Sequence, residues 1–515
     1  MGFDSGNRAG SLEGERREIR HDKAIDIYTK AIAIDPTSSH AYYGLGKVYQ
    51  RQGQLDRALR DFSKAIALDP GSHRAYARRG AVYAGQGLLD SAVADLTEAI
   101  LLDPSQPFAR AVRGAVHLEQ GQLDKAIADL AEAIRLDPSC AAAHASRGEA
   151  YLELGEPALA AADFGAAIRL GPGSAAAHAG RGAAMLEQGD YDMAIADFGE
   201  AIRLDPGSAF ARAGRGEAYF EKGLLGMAIR DFGEAIALEP GDAFSYVMRG
   251  EACREQGRHD LAVGDFSQAI RLAPDSLSAY LVRGASHLAL GRHAMAVEDF
   301  SEAIGLGLKS ALDCRNRGEA HWRSGRFDLA AKAFGEAAWV GRNDSFAFRG
   351  RGEAYWRQGL RELAIKDFSE AIRLEPGDVI SLVNRAEACL MKGLHDLALC
   401  DLDEAIRLHP GAAFAYGIRG LACLEQARHG PAIADFNEAI RLDPAYAAAY
   451  GYRARARRRL GQRRLAAADL KKALTLDPRI AWVRRELREL LEEERKERAA
   501  ARRGKGGEDK AGSAL

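Results

Sequence analysis

Much of what would assign a chemistry to this chain is missing from it. The opening stretch, MGFDSGNRAGSLEGERREIR, holds no apolar core of a secretory signal, and Gly6 stands where a myristoylation signal needs Ser or Thr. No apolar run approaches the length of a membrane span. These absences point to a soluble, cytoplasmic protein without membrane contact. There is no GxxxxGK[ST] phosphate loop and no HExxH zinc motif. Cysteine is sparse, six in 515 residues with no CxxC pair. Cys253, Cys389 and Cys423 lie at multiples of thirty-four residues from one another, which reads as small core fillers rather than ligands or bridges. His117, His287 and His321 share that slot and read as core-edge residues. No catalytic group, cofactor or metal is expected. Net charge is −2, too small a field to draw the whole chain to nucleic acid or membrane. At 47% hydrophobic residues the chain has the apolar content to fold.

What is present is repetition. Proline recurs at 36, 70, 104, 138, 172, 206, 240 and 274, then at 376, 410, 444 and 478, and the spacing holds across the two junctions that lack it. With proline set at position 32 of each unit, thirteen full units of thirty-four residues run from Ser39 to Ile480. Each unit is helical twice over. The second half, for example LLGMAIRDFGEAIALEP, places Leu225, Ala228, Ile229, Phe232, Ala235, Ile236 and Leu238 on one stripe by steps of three and four. Glycine at position 15, Gly223 here, ends the first helix, and proline ends the second. A single hairpin of this size cannot bury both apolar faces, so the hairpins must stack on one another. Gly-x-Gly recurs, as at Gly214, but inside a helical pattern with no strand before it, so a dinucleotide site is not indicated.

The pattern resembles the tetratricopeptide repeat family. The residues that carry the resemblance are Gly or Ala at position 8, mostly Tyr at 11, Ala at 20, Phe or Leu at 24, Ala at 27 and Pro at 32. The resemblance implies an all-α fold, a right-handed superhelical solenoid of antiparallel helix hairpins. Its first helices line a concave groove that holds a protein or peptide. Position 7 departs from the family: Arg replaces the common Leu in twelve units, and only Leu45 keeps it. Position 23 is Asp in all units but one, where Ala333 stands. A recurring Arg–Asp contact is expected, Arg215 meeting Asp231 or the adjacent Asp197, which sets register more than it adds stability.

Positions 2, 5, 6, 9, 12 and 13 share one side of the first helix, the side the resemblance assigns to the groove. Slots 9 and 13 are repeatedly acidic, with Glu149 and Glu153, Glu217 and Glu221, Glu251 and Glu255 four apart. Two readings stand: an acidic groove for a basic segment, or a solvated face inherited by duplication. Units nine and ten change character, carrying Arg315, Glu319, Trp322 and Arg323, then Arg349, Glu353, Trp356 and Arg357. Trp flanked by Arg is the composition of a binding anchor; the plain alternative is that both Trp pack between helices. A carboxylate clamp of the family's chaperone-binding kind is not matched, since Glu319 and Gly350 stand where it needs Asn. Arg455, Arg458 and Arg459 in unit thirteen form one basic patch, too little to make nucleic acid the leading ligand.

The expected organisation is a polar segment over 1–21, a partial repeat over 22–38, thirteen repeats over 39–480, a capping and then solvent-projecting charged helix over 481–503, and a disordered tail over 504–515. The expected function is a non-enzymatic scaffold for protein or peptide partners, with self-association as the alternative and RNA binding behind it.

Overall fold

The computed structural model describes residues 21–307 and 310–511, with side chains as far as residue 497. The expected polar segment therefore lies outside the described residues except for its last position, as do residues 512–515. Among the described residues every regular element is a helix. The chain divides into two compact units, Met1–Arg258 and His259–Leu515. In the first, α1 (21–34) precedes six hairpins, from α2 (Ser39–Arg51) and α3 (Leu55–Leu68) to α12 (Ala209–Glu221) and α13 (Leu225–Leu238), and α14 (Ala243–Glu255) follows. In the second, α15 (His259–Leu272) precedes six more, from α16 (Leu277–Ala289) and α17 (His293–Gly305) to α26 (Ala447–Arg459) and α27 (Arg463–Leu476), and α28 (Ala481–Ala511) closes it. Within each unit successive hairpins pack on one another, which makes each a helical solenoid.

The local signals act as their chemistry dictates. Gly223 adopts φ +71°, the left-handed turn between α12 and α13. Repeat twelve has no glycine at that slot, and Ala427 is held at φ 56°, the one non-glycine residue in this region among those described. Serine or aspartate at position 34 caps the next first helix: Ser208 accepts from the Ala211 N–H and Asp242 from those of Phe244 and Ser245. In the core, Phe232 is fully buried, and a Cβ on Gly216 would stand 3.1 Å from its ring. Glycine at position 8 is what lets the first helix close over the second.

The position-7 arginine does more than expected. Arg215 donates from Nε to Asp231 Oδ2 at 2.6 Å and from Nη2 to Oδ1 at 3.0 Å, a fork within its own repeat. The same fork joins Arg79 to Asp95, Arg147 to Asp163, Arg351 to Asp367 and Arg453 to Asp469. Asp197, the other partner considered for Arg215, is taken by Arg181. In several repeats the third guanidinium nitrogen reaches back to a polar residue at position 25 of the preceding repeat. Arg79 meets Ser63 at 3.0 Å, Arg385 meets Ser369 at 3.0 Å and Arg419 meets Asp403 at 2.8 Å. One side chain thus ties three helices and two repeats. Both departures from the pattern leave a mark. Where Ala333 replaces the aspartate, Arg317 turns to Glu336. Where Leu45 replaces the arginine, Asp61 has a buried Oδ2 with no hydrogen-bond partner among the described residues, and burial pushes its carboxyl up to about 6.

α28 occupies the place of a fourteenth first helix. Val483 and Leu490 are buried, and Trp482 stacks on Tyr452 with ring centroids 5.0 Å apart. The expectation that the helix leaves the repeats after Leu491 does not hold as far as Glu497. Glu486, Glu489, Glu493 and Glu497 fall on one face by three-and-four spacing; Glu486 pairs with Arg455, Glu489 and Glu493 with Arg458, and Glu497 with Arg463. The arginine row of repeat thirteen holds the helix down. Helical backbone continues to Ala511, past the break expected at Gly504.

Candidate partner-binding groove

The first helices present their slots 9 and 13 together, as the spacing requires. Within the N-terminal unit, Glu119, Glu149 and Glu153 line a groove of about 420 Å³. A second groove of about 570 Å³ is lined by Glu187, Glu217, Glu221, Glu239 and Asp242 with Phe210 and Phe244, and no cationic residue lines it. Phe210 is 62% exposed, resting edge-on against the buried Phe198 with centroids 6.3 Å apart. The two phenylalanines occupy slot 2, and Glu239 and Asp242 come from the turn between repeats. The reading of slots 9 and 13 missed them; slot 2, already on the groove side, was the signal.

Crowding perturbs the carboxylates. Burial pushes the Glu149 carboxyl up, and the like charge of Glu153 adds to it; Glu217 is raised in the same way, first by burial and then by Glu221. Water reaches Glu149, which is exposed, so its desolvation reflects the protein around the groove rather than enclosure. Glu251 donates no such free charge to the groove, since Arg254 binds it at 2.7 Å; Glu255 is exposed.

In the C-terminal unit the Trp–Arg stretches of α18 (Ala311–Arg323) and α20 (Ser345–Arg357) form a different surface. Arg315 pairs with Asp344 at 3.2 Å and Arg349 with Asp378 at 2.9 Å, and both guanidiniums lie over the ring of Phe346, at 4.9 and 4.8 Å. Glu319 holds Arg323 at 2.7 Å. Trp322 is half-buried against Phe327, centroids 6.4 Å apart, and Arg357 lies over it at 5.9 Å. Trp356 is half-buried in the equivalent slot. Glu353 accepts from Asn384 at 3.1 Å; burial raises its carboxyl, with Arg349 opposing and Glu319 adding to the rise. The arginines offered as ligand contacts are thus mostly engaged within the protein. Of the basic patch of repeat thirteen, Arg455 and Arg458 are likewise engaged, by α28, while Arg459 is exposed. Among the described residues no helix is long and apolar enough to cross a membrane.

Stacked two-helix repeats define a helical-repeat protein. Family models described as tetratricopeptide repeat agree: one matches residues 112–175, 247–310, 315–378, 349–413 and 398–447, just over half the chain, and others match 39–72 and 73–106. A model described as TPR repeat matches 20–53 and 184–223. The chain belongs to the tetratricopeptide repeat family, whose members are protein-interaction scaffolds. Similar solved structures include an APC/C hetero-tetramer, Cut9-Hcn1, at 16% identity and TM-score 0.39, over 88% of this chain and 97% of that one. YrrB, a TPR protein described as having an unusual peptide-binding site, is 21% identical at TM-score 0.33, over 36% of this chain and 95% of that one. A tetratricopeptide repeat protein of Parabacteroides merdae is 23% identical at TM-score 0.38, over 48% of this chain and 98% of that one. Among curated proteins none matches.

Proposed function

We propose that this chain is a non-enzymatic cytoplasmic scaffold whose N-terminal unit holds a partner segment carrying cationic and apolar side chains. The observation that carries this is the groove of about 570 Å³ in which Phe210 and Phe244 stand among five carboxylates with no cation on its lining. Exposed aromatics supply affinity, and the one-signed rim supplies orientation and partner choice. A bound cation would also relieve the crowding of Glu217 and Glu221. Binding of a labelled acetyl-Lys-Phe-Lys-Leu-Lys-amide probe, followed by anisotropy, tests it. Glu217→Gln and Glu221→Gln should each weaken binding by up to about fivefold, and Phe210→Ser should weaken it without changing the salt dependence. Acidification through the Glu217 titration should weaken it too, because the cation prefers the ionised carboxylate. Equal binding of a glutamate-substituted probe would refute the reading.

Self-association is the second reading, and one feature favours it. Position 19 carries a half-exposed Leu or Met in successive repeats: Leu159, Met193 and Met227 in the N-terminal unit, and Leu261, Met295, Leu329, Leu363 and Leu397 in the C-terminal unit. A ridge with one apolar group per repeat is matched in period by the same ridge of a second copy. Sedimentation of Met295→Lys/Leu363→Lys against wild type checks it; a wild type that stays monomeric at high concentration removes it.

A further inference from the structure

We propose that repeat nine carries a second docking site, on its second helix rather than on the groove side. The site takes a bulky apolar side chain flanked by a carboxylate, presented by a partner protein. The helix is α19 (Phe327–Val340). Five sister repeats carry an ion pair between positions 26 and 29 on this surface, as in Glu370–Arg373 at 2.7 Å and Glu404–Arg407 at 2.5 Å. Repeat nine withdraws both members. Position 29 is Trp339, 79% exposed, and Glu336 is drawn to Arg317 because Ala333 leaves that arginine without its aspartate. A cavity of about 590 Å³ lies beside Trp339, with the buried Cys314 and the helix-end Ile304 among its lining and Gly335 contributing no side chain.

The charges around the cavity choose the occupant. Glu336 is neutralised by Arg317, and Arg351 by Asp367 at 2.6 Å. Lys332 lines the cavity, is exposed, and has no acid within ion-pair distance among the described residues. The uncompensated charge at the rim is therefore positive, next to an exposed indole. An apolar group fills the cavity and covers the indole, and a neighbouring carboxylate reaches Lys332.

Indole N–H signals of the full chain, which has four tryptophans, test this. Trp339 is assigned by Trp339→Phe, and the probe is acetyl-Asp-Phe-Leu-Asp-amide, with its Asn/Asn counterpart as control. The expected result is a saturable shift of the Trp339 signal. Binding should weaken by about two- to fivefold with the neutral probe and again in Lys332→Glu, whose exposed position spares the fold. A Trp339 signal that does not move overturns the proposal. So does equal binding of both probes with no effect of Lys332→Glu. A Trp339 signal that instead shifts on diluting the protein alone would make a second copy of the chain the occupant, and overturns it as well.

Discussion

Leu45→Arg should stabilise the first repeat and remove a pH dependence that the wild type carries there. Every other first helix in the array has arginine at this slot, and Asp61 is the aspartate that lost its partner. Its carboxyl is raised by burial from 3.8 to about 6, Arg60 opposing weakly. A raised acid binds its proton more tightly in the folded state. Stability is therefore full below about 3.8 and is lost as pH rises through about 6. A shift of this size corresponds to a ceiling of about 3 kcal/mol. Asp61 is half-buried, so screening by water reduces this to on the order of 1–2 kcal/mol. Arginine at 45 would keep an aliphatic stem in the space of the buried leucine and carry its fork to Asp61. Thr29 sits at the slot where the third nitrogen of Arg79 finds Ser63 one repeat later. The assay is native-state hydrogen exchange of α2 and α3 amides, read as opening free energies at about pH 5 and about pH 8. Wild type should lose about 1 kcal/mol across that interval, and Leu45→Arg should lose little while gaining on the order of 1–2 kcal/mol at the upper end. A wild type better protected at the higher pH, or a variant with the wild-type slope, would refute the reasoning.

Two further expectations follow from the same architecture. Ala427→Gly relieves the positive φ at the turn of repeat twelve and should stabilise that repeat by about 1 kcal/mol, measured by urea unfolding or by exchange of its helix-end amides. Arg215→Met should cost about 3 kcal/mol because it strands a buried aspartate, and a double-mutant cycle with Asp231→Asn should show strong coupling. The same cycle between Arg215 and Asp197 should show little direct coupling.

How much was legible beforehand varied by kind of contact. The proline and glycine punctuation and the three-and-four apolar spacing made the hairpins and their register readable in one dimension, because backbone conformation at a turn and amphipathy along a helix are local properties. The position-7 and position-23 pattern announced an arginine–aspartate contact because each residue recurs in twelve of the thirteen units, Leu45 and Ala333 being the exceptions. Which aspartate it reached was not readable, since the two lie almost equally far from Arg215 in sequence, Asp231 sixteen residues after it and Asp197 eighteen before it.

Three matters belonged to the tertiary structure alone. The groove-side arginines Arg315 and Arg349 looked available for a ligand, but the caps of the following repeats, Asp344 and Asp378, come close enough to hold them. The charged stretch after Leu491 looked bound for solvent, but its glutamates meet the arginines of repeat thirteen across two helices. Trp339, which the sequence pattern did not single out, stands exposed beside a Glu336 held by Arg317 where Ala333 replaces the aspartate. By itself the sequence determined the repeat, its helices and its family, because those rest on short-range periodicity. Only the folded chain decided which charges remain unspent, because an ion pair depends on distances between helices that no single helix encodes.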